Sequence, residues 1–328
     1  MITFWVSVLA LSILLYVLLD GFDLGVGILY GFAREDRARR AMMSAVAPVW
    51  DGNETWLVVS GVVLWGAFPI VYATLFSAFY LPLLFMLAGL ILRGVAFEFR
   101  NKAQGSLWVW DAAFAGGSLV ATFMQGTMVG ALVQGLPLLN GNYAGGEFSW
   151  LSPFAVLSGI GLCLGYALLG ACWLVRKSAG DVQVAGFRLI PALTFASLAI
   201  LALVFFFALS ENLRVLSRWL ERPYLFAFPL IGIVAGIALA LSVRRRRERA
   251  PFYLVAATFA AAFGTFAVSF WPYMIPFSIT IDAAAAPHSS LAFMFWGEGL
   301  FVLPLMLVYT AISYRVFRGK VSPDATDY

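Results

Sequence analysis

The sequence predicts an all-α, polytopic membrane protein of about nine spans, a single integral membrane domain over residues 1–328. Composition is the first ground: 62% of the residues are hydrophobic and 12% charged, whereas soluble domains carry about a quarter charged residues. Continuity is the second. Apolar runs extend without polar alternation for roughly 20 residues at a time, the length of a spanning helix, which argues against a transmembrane barrel. The third is charge, which falls mostly in the breaks between those runs.

In chain order the spans are expected over residues 4–31, 53–73, 76–98, 107–134, 153–175, 186–209, 225–243, 252–274 and 290–314. The first continues past Leu19 without a small-residue cleavage site and reads as a retained helix. The second and third nearly touch, near Ala73 to Phe76. After the fourth, residues 136–152 form a glycine-rich, nearly uncharged loop. Within 210–224, Leu213, Leu216 and Leu220 alternate with charges, as in a short amphipathic helix on the membrane surface. Cys163 and Cys172 share the fifth span about 13 Å apart by helical rise, too far for a disulfide. The spans can divide as four, four and one, two bundles and a peripheral helix, although no repeat marks the division. Helices bearing the polar cluster lie within 1–135, the others within 150–315.

Alternate breaks carry most of the basic residues. One side holds Arg34, Arg37, Arg39, Arg40, Arg100, Lys102, Arg176, Lys177 and Arg188, then Arg244–Arg247, Arg249, Arg315, Arg318 and Lys320, 17 of the 21. The other side holds Arg214, Arg218 and Arg222, and Arg93 lies within a span. By the positive-inside rule the first side is cytoplasmic, which puts the N-terminus outside and the C-terminus inside.

Ionisable groups within a membrane are costly and face a bundle interior, a partner or water. Eight such groups fall on the first four spans: Asp20, Asp23, Asp51, Glu54, Arg93, Glu98, Arg100 and Asp111. The span directions bring all eight toward the cytoplasmic ends, and the pairs Asp20/Asp23 and Asp51/Glu54 each share a helix face. Such a cluster can pass protons where water reaches it. It can equally be an ion-pair network that registers helices, or a set of solvated headgroup-level charges. Glu298, between Gly297 and Gly299 in the ninth span, stands apart; a protonated acid hydrogen-bonded to a neighbouring helix is expected there.

The one histidine, His288, falls beside Pro287 in an expected outer loop. Haem and transition-metal centres rely mainly on histidine or cysteine, so no redox centre and no metal site is expected in this chain. No phosphate-binding loop, nucleophile triad or zinc motif is present. Gly21, Gly25 and Gly27 suit close helix packing rather than nucleotide binding.

Four stretches resemble subunit II of the cytochrome bd-type quinol oxidases, including the cyanide-insensitive branch. They are Asp20-Gly-Phe-Asp23-Leu-Gly-Val-Gly27, Ala47-Pro-Val-Trp50-Asp51-Gly-Asn-Glu54-Thr-Trp56-Leu, Leu92-Arg93-Gly-Val-Ala-Phe97-Glu98-Phe-Arg100 and Trp108-Val-Trp110-Asp111. Gln134-Gly-Leu-Pro137 is similar as well, while the C-terminal half matches mainly in hydropathy. The resemblance implies a haem-free accessory subunit of a quinol:oxygen oxidoreductase in the bacterial cytoplasmic membrane. Its partner, subunit I, would hold haems b and d, or b-type haems alone, bind quinol and reduce oxygen to water. A proton route from the cytoplasm would run near the subunit interface, with Asp20, Asp23, Asp51, Arg93 and Asp111 on the matching motifs. A structural quinone and small single-span subunits occur among relatives; nucleic acid is not an expected partner. Two other readings stay open: a stand-alone proton-coupled transporter and a purely structural scaffold. Transporters place their sites near the midplane on broken helices, and this cluster is off-centre.

Overall fold

A computed structural model describes residues 1–321 apart from Gln104, Asn140 and Asn212. In lipid every backbone N–H and C=O must be satisfied within the chain, and the long apolar runs meet that demand as helices. These are α1 (Ile2–Tyr30), α2 (Asp36–Val46), α3 (Trp50–Ala67), α4 (Pro69–Ala78), α5 (Tyr80–Arg100), α6 (Leu107–Gln134) and α7 (Pro153–Lys177). There follow α8 (Gly180–Glu211), α9 (Leu213–Glu221), α10 (Ala227–Arg244), α11 (Ala250–Phe270), α12 (Ile281–Ala284), α13 (His288–Met294) and α14 (Val302–Val316). Two short hairpins, Leu138–Leu139 with Asn142–Tyr143 and Tyr273–Ile275 with Ile279–Thr280, lie in the connections after α6 and α11. Eight helical stretches among the described residues are long and apolar enough to cross a membrane, and a bent pair brings the number to nine.

That bent pair corrects the second expected span. Residues 53–73 do not form one straight helix: α3 ends at Ala67 and α4 leaves it at 120°. Pro69 is the cause, since its ring disfavours helical geometry at the preceding residue and its nitrogen cannot donate. Phe68 accordingly has φ −136° and ψ 59°. The eighth span stops at Phe270 and not at 274, where the hairpin begins. The ninth is interrupted by a π-helical turn, Phe295–Gly299, in which the Leu300 N–H donates to the Phe295 carbonyl at 2.9 Å. His288, expected in a loop, is the first residue of α13 and exposed.

α1 runs through the middle of the molecule, packed against α3, α6, α7 and α11. Glycines permit that closeness. A methyl group at Gly25 would lie 1.7 Å from the carbonyl oxygen of Tyr166, so the α1 and α7 backbones touch there. Gly89 of α5 and Gly117 of α6 meet in the same way. Cys163 and Cys172 are unpaired on α7, as their spacing requires. The surface helix α9 docks through Trp219, fully buried with its Nε1 donating to Ser269 Oγ at 3.1 Å, while Leu220 is exposed. At the far end of the chain α14 buries none of its residues and is peripheral.

Candidate functional site

The basic residues of the helix connections mark one end of the bundle, here the basic end. Asp20 lies ten residues and Arg93 seven residues before the basic ends of α1 and α5, about 15 and 11 Å deep by helical rise. These depths differ by less than one helical turn, and the two side chains meet. Arg93 is fully buried; its Nη1 donates to Asp20 Oδ1 at 2.7 Å and its Nη2 to Glu54 Oε2 at 3.0 Å. One guanidinium fork thus joins α1, α3 and α5, the planar two-pronged recognition that arginine performs and lysine cannot. The Trp50 ring lies 5.9 Å from the guanidinium carbon.

Asp23, one turn beyond Asp20, takes a different partner. Asn53 Nδ2 donates to Asp23 Oδ2 at 2.7 Å and to the Leu19 carbonyl at 3.3 Å, and Asn53 Oδ1 accepts from the Tyr314 hydroxyl at 2.9 Å. The peripheral α14 is thereby tied into the centre. One turn before Asp20 on α1, the Tyr16 hydroxyl accepts from Gln125 Nε2 at 2.6 Å and Tyr166 donates to Gln125 Oε1 at 3.2 Å, a buried triad across α1, α6 and α7. Asp20 Oδ2, Asp23 Oδ1 and Arg93 Nε are buried without a hydrogen-bond partner among the described residues.

Nearer the basic end a second cluster forms around Asp111. Arg100 Nε donates to its Oδ1 and Arg39 Nη1 to its Oδ2, each at 2.6 Å, and the Tyr30 hydroxyl donates to Oδ1. Arg100 Nη2 also reaches Asp36 Oδ1 at 2.6 Å, and Asp36 pairs with Arg40. This cluster clasps the ends of α1, α2, α5 and α6.

The eight expected residues therefore do not share one zone. Asp20, Asp23, Glu54 and Arg93 come together in the interior, whereas Arg100 and Asp111 belong to the outer clasp. Asp51 is exposed one helical turn before Glu54, whose own side chain is 26% exposed. Glu98 is exposed and faces Lys102 at 3.9 Å on the surface. Asn53, Tyr314, Tyr16, Gln125, Tyr166 and Tyr30 were missed by sequence reasoning. Only Asn53 carried a signal, its place between Asp51 and Glu54. The expected hydrogen bond from Glu298 to a neighbouring helix is not formed among the described residues: its carboxyl faces outward into a cleft beside Val62, Trp65 and Gly66.

Comparison with known proteins gives this arrangement a family. The sequence model for cytochrome bd terminal oxidase subunit II matches residues 1–317. The cytochrome bd-I ubiquinol oxidase subunit 2 of Escherichia coli (strain K12) is 29% identical over 98% of this chain and 95% of its own length. A probable cytochrome oxidase subunit 2 of Haemophilus influenzae is 30% identical over 98% and 95%, and the cytochrome bd ubiquinol oxidase subunit 2 of Bacillus subtilis 28% over 97% and 96%. A chain from the structure of bd oxidase from Geobacillus thermodenitrificans shares the fold, with a TM-score of 0.80, 18% identity, and coverage of 96% of this chain and 98% of that one. The protein is a polytopic component of the bacterial inner membrane and belongs to the cytochrome bd terminal oxidase subunit II family.

Proposed function

We propose that this chain is the haem-free, non-catalytic subunit of a bd-type quinol oxidase, and that it guides protons from the cytoplasm toward the haem-bearing subunit I that reduces oxygen. The basic end is the cytoplasmic one, with the N-terminus outside and the C-terminus inside. The whole chain acts as one membrane domain.

One observation carries the proton route: a fully buried arginine holds two carboxylates, Asp20 and Glu54, and one of them opens toward exposed Asp51 a single turn away. In the interior three carboxyl groups, Asp20, Asp23 and Glu54, face one guanidinium. By charge arithmetic the set has room for an exchangeable proton, and the unpartnered Asp20 Oδ2 and Asp23 Oδ1 are the atoms that can take it. Entry is at Asp51, transfer passes through Glu54, and Arg93 fixes the geometry of both inner carboxylates. Arg100 and Asp111 hold helix ends, and Glu98 belongs to the surface.

The residues of this chain do not fit a haem. The single histidine is exposed at the head of α13, and the two cysteines stand nine residues apart on α7, with Cys172 buried in the packing. The haems, of b and d type or b alone, and the quinol site are assigned to subunit I. Oxygen reduction there consumes protons, and drawing them from the cytoplasm separates charge across the membrane.

The test uses the assembled oxidase. Asp51→Asn and Glu54→Gln are expected to leave haem content and subunit association intact and to slow oxygen consumption by an order of magnitude or more. Full activity in both variants would reduce the chain to a scaffold.

A further inference from the structure

Each inner aspartate of α1 has one oxygen held and one oxygen open. Arg93 Nη1 holds Asp20 Oδ1 at 2.7 Å, and Asn53 Nδ2 holds Asp23 Oδ2 at 2.7 Å. Asp20 Oδ2 and Asp23 Oδ1 are buried and unpartnered among the described residues. The two aspartates stand three residues apart, so their side chains share a helix face. On the Asp20 side the holding group is an arginine, which stays charged and can only donate. On the Asp23 side it is a neutral amide, and an amide can turn over.

Tyr314 keeps that amide from turning. Asn53 Nδ2 also lies 3.3 Å from the Leu19 carbonyl, a group that only accepts. With its nitrogen facing two acceptors, Asn53 presents Oδ1 to the Tyr314 hydroxyl at 2.9 Å, so the hydroxyl donates. The reversed amide would set its oxygen against a carboxylate and a carbonyl, acceptor against acceptor. The tyrosine ring is held in turn by Phe22 of α1 and Trp173 of α7, both edge-on, at centroid distances of 6.4 and 6.1 Å. Donation therefore runs one way, from Tyr314 on α14 to Asn53 on α3 and on to Asp23 on α1. Asn53 is 1% exposed, so bulk water does not replace a bond lost there.

We propose that Tyr314 and Asn53 are positioning residues for the inner proton: by keeping Asp23 Oδ2 as an acceptor, they direct the proton to Oδ1, the oxygen left open beside Asp20. The inference deepens the proton-route reading and rests on it. The step it permits is an exchange in which a proton on Asp20 Oδ2 passes to Asp23 Oδ1, directly or through one water, and the negative charge moves from Asp23 to Asp20. Arg93 acts electrostatically on both carboxylates, so it offsets the charge in either arrangement. A proton placed on Oδ2 would instead compete with the Asn53 donor.

The test uses the assembled oxidase carrying Tyr314→Phe, Asn53→Leu or both, with turnover expressed per haem. Phenylalanine keeps the ring packing and removes only the donating hydroxyl, so haem content and subunit association should match wild type. Turnover should fall about threefold or more in Tyr314→Phe and further in Asn53→Leu, with KM for quinol unchanged. Because Tyr314 acts through Asn53, the double variant should lose no more than Asn53→Leu alone. Infrared spectra give a reading that packing would not move: the carboxyl C=O band that vanishes in Asp23→Asn should shift in Tyr314→Phe. An unshifted band, wild-type turnover in Tyr314→Phe, or losses that multiply in the double variant would overturn the inference. Full activity in Asp51→Asn and Glu54→Gln would instead overturn the proton route on which it rests, whatever the band does.

Discussion

Arg93 is the residue on which the interior depends. Removing one member of a buried ion pair leaves an uncompensated charge and costs about 3–5 kcal/mol, whereas replacing the pair with apolar groups is often nearly neutral. Arg93→Leu strands both Asp20 and Glu54, so it should lower the thermal midpoint of the purified subunit complex or abolish its accumulation. Adding Asp20→Leu should recover part of that loss, because only Glu54 then remains unpaired; no recovery in the double variant would show that the pairing is not the source of the effect. Arg93→Lys is not conservative, since one ammonium cannot span both carboxylates. Asp111 offers the contrast. Its partners Tyr30, Arg39 and Arg100 lie at the helix ends. Asp111→Asn should cost about 1–3 kcal/mol of stability and leave the rate of oxygen consumption per assembled complex unchanged. A slowed rate at full assembly would move Asp111 back onto the proton route.

At the level of elements, the chain joins its parts by close backbone contact and by a strap at the C-terminal end. Lys177, buried at the end of α7, donates through Nζ to the carbonyls of Gly319, at 2.7 Å, and Phe317, and its own carbonyl accepts from Val321 at 2.8 Å. Lys320 Nζ meets Glu248 Oε2 at 2.9 Å, and Gln183 donates to the other oxygen at 2.9 Å. These contacts hold the Glu248 carboxyl below the usual carboxylate range. A depressed folded pKa means stability that is present above the ordinary value of about 4.3 and lost as pH falls through the folded one. Lys177→Met should therefore speed protease cleavage after Arg315 and Arg318 at neutral pH, and wild type should show part of that sensitivity only in acid. Equal cleavage of variant and wild type at neutral pH would show that Lys177 does not hold the strap. How much of this was legible varies by element. Asp20, Asp23 and Arg93 stand out because charges in an apolar run are rare, and Gly25 because small residues are spaced for packing. Tyr314 could not be found, since an aromatic in an apolar helix signals nothing about a hydrogen bond to Asn53, 261 positions away. The break at Phe68 escaped because hydropathy records length and apolarity but not direction, and Pro69 sits within an unbroken apolar run.

For the whole molecule, the two ends are chemically unequal, and the proposed route depends on which end faces the cytoplasm. Of the 21 basic residues, 17 gather at one end, the same end at which Asp51 is exposed and Asp111 is clasped. Basic loops resist translocation, so this end should stay inside. Reporter fusions read that directly: a fluorescent protein fused after Lys320 should fold and fluoresce, and alkaline phosphatase there should be inactive. Phosphatase inserted in the loop near Gly145, between α6 and α7, should be active. The reverse pattern would place Asp51 on the outer face. Protons would then enter from the outside, and the proposed route could no longer draw them from the cytoplasm. Orientation and proton route are thus one claim seen at two scales, and the fusion experiment can refute the second without a measurement of oxygen consumption.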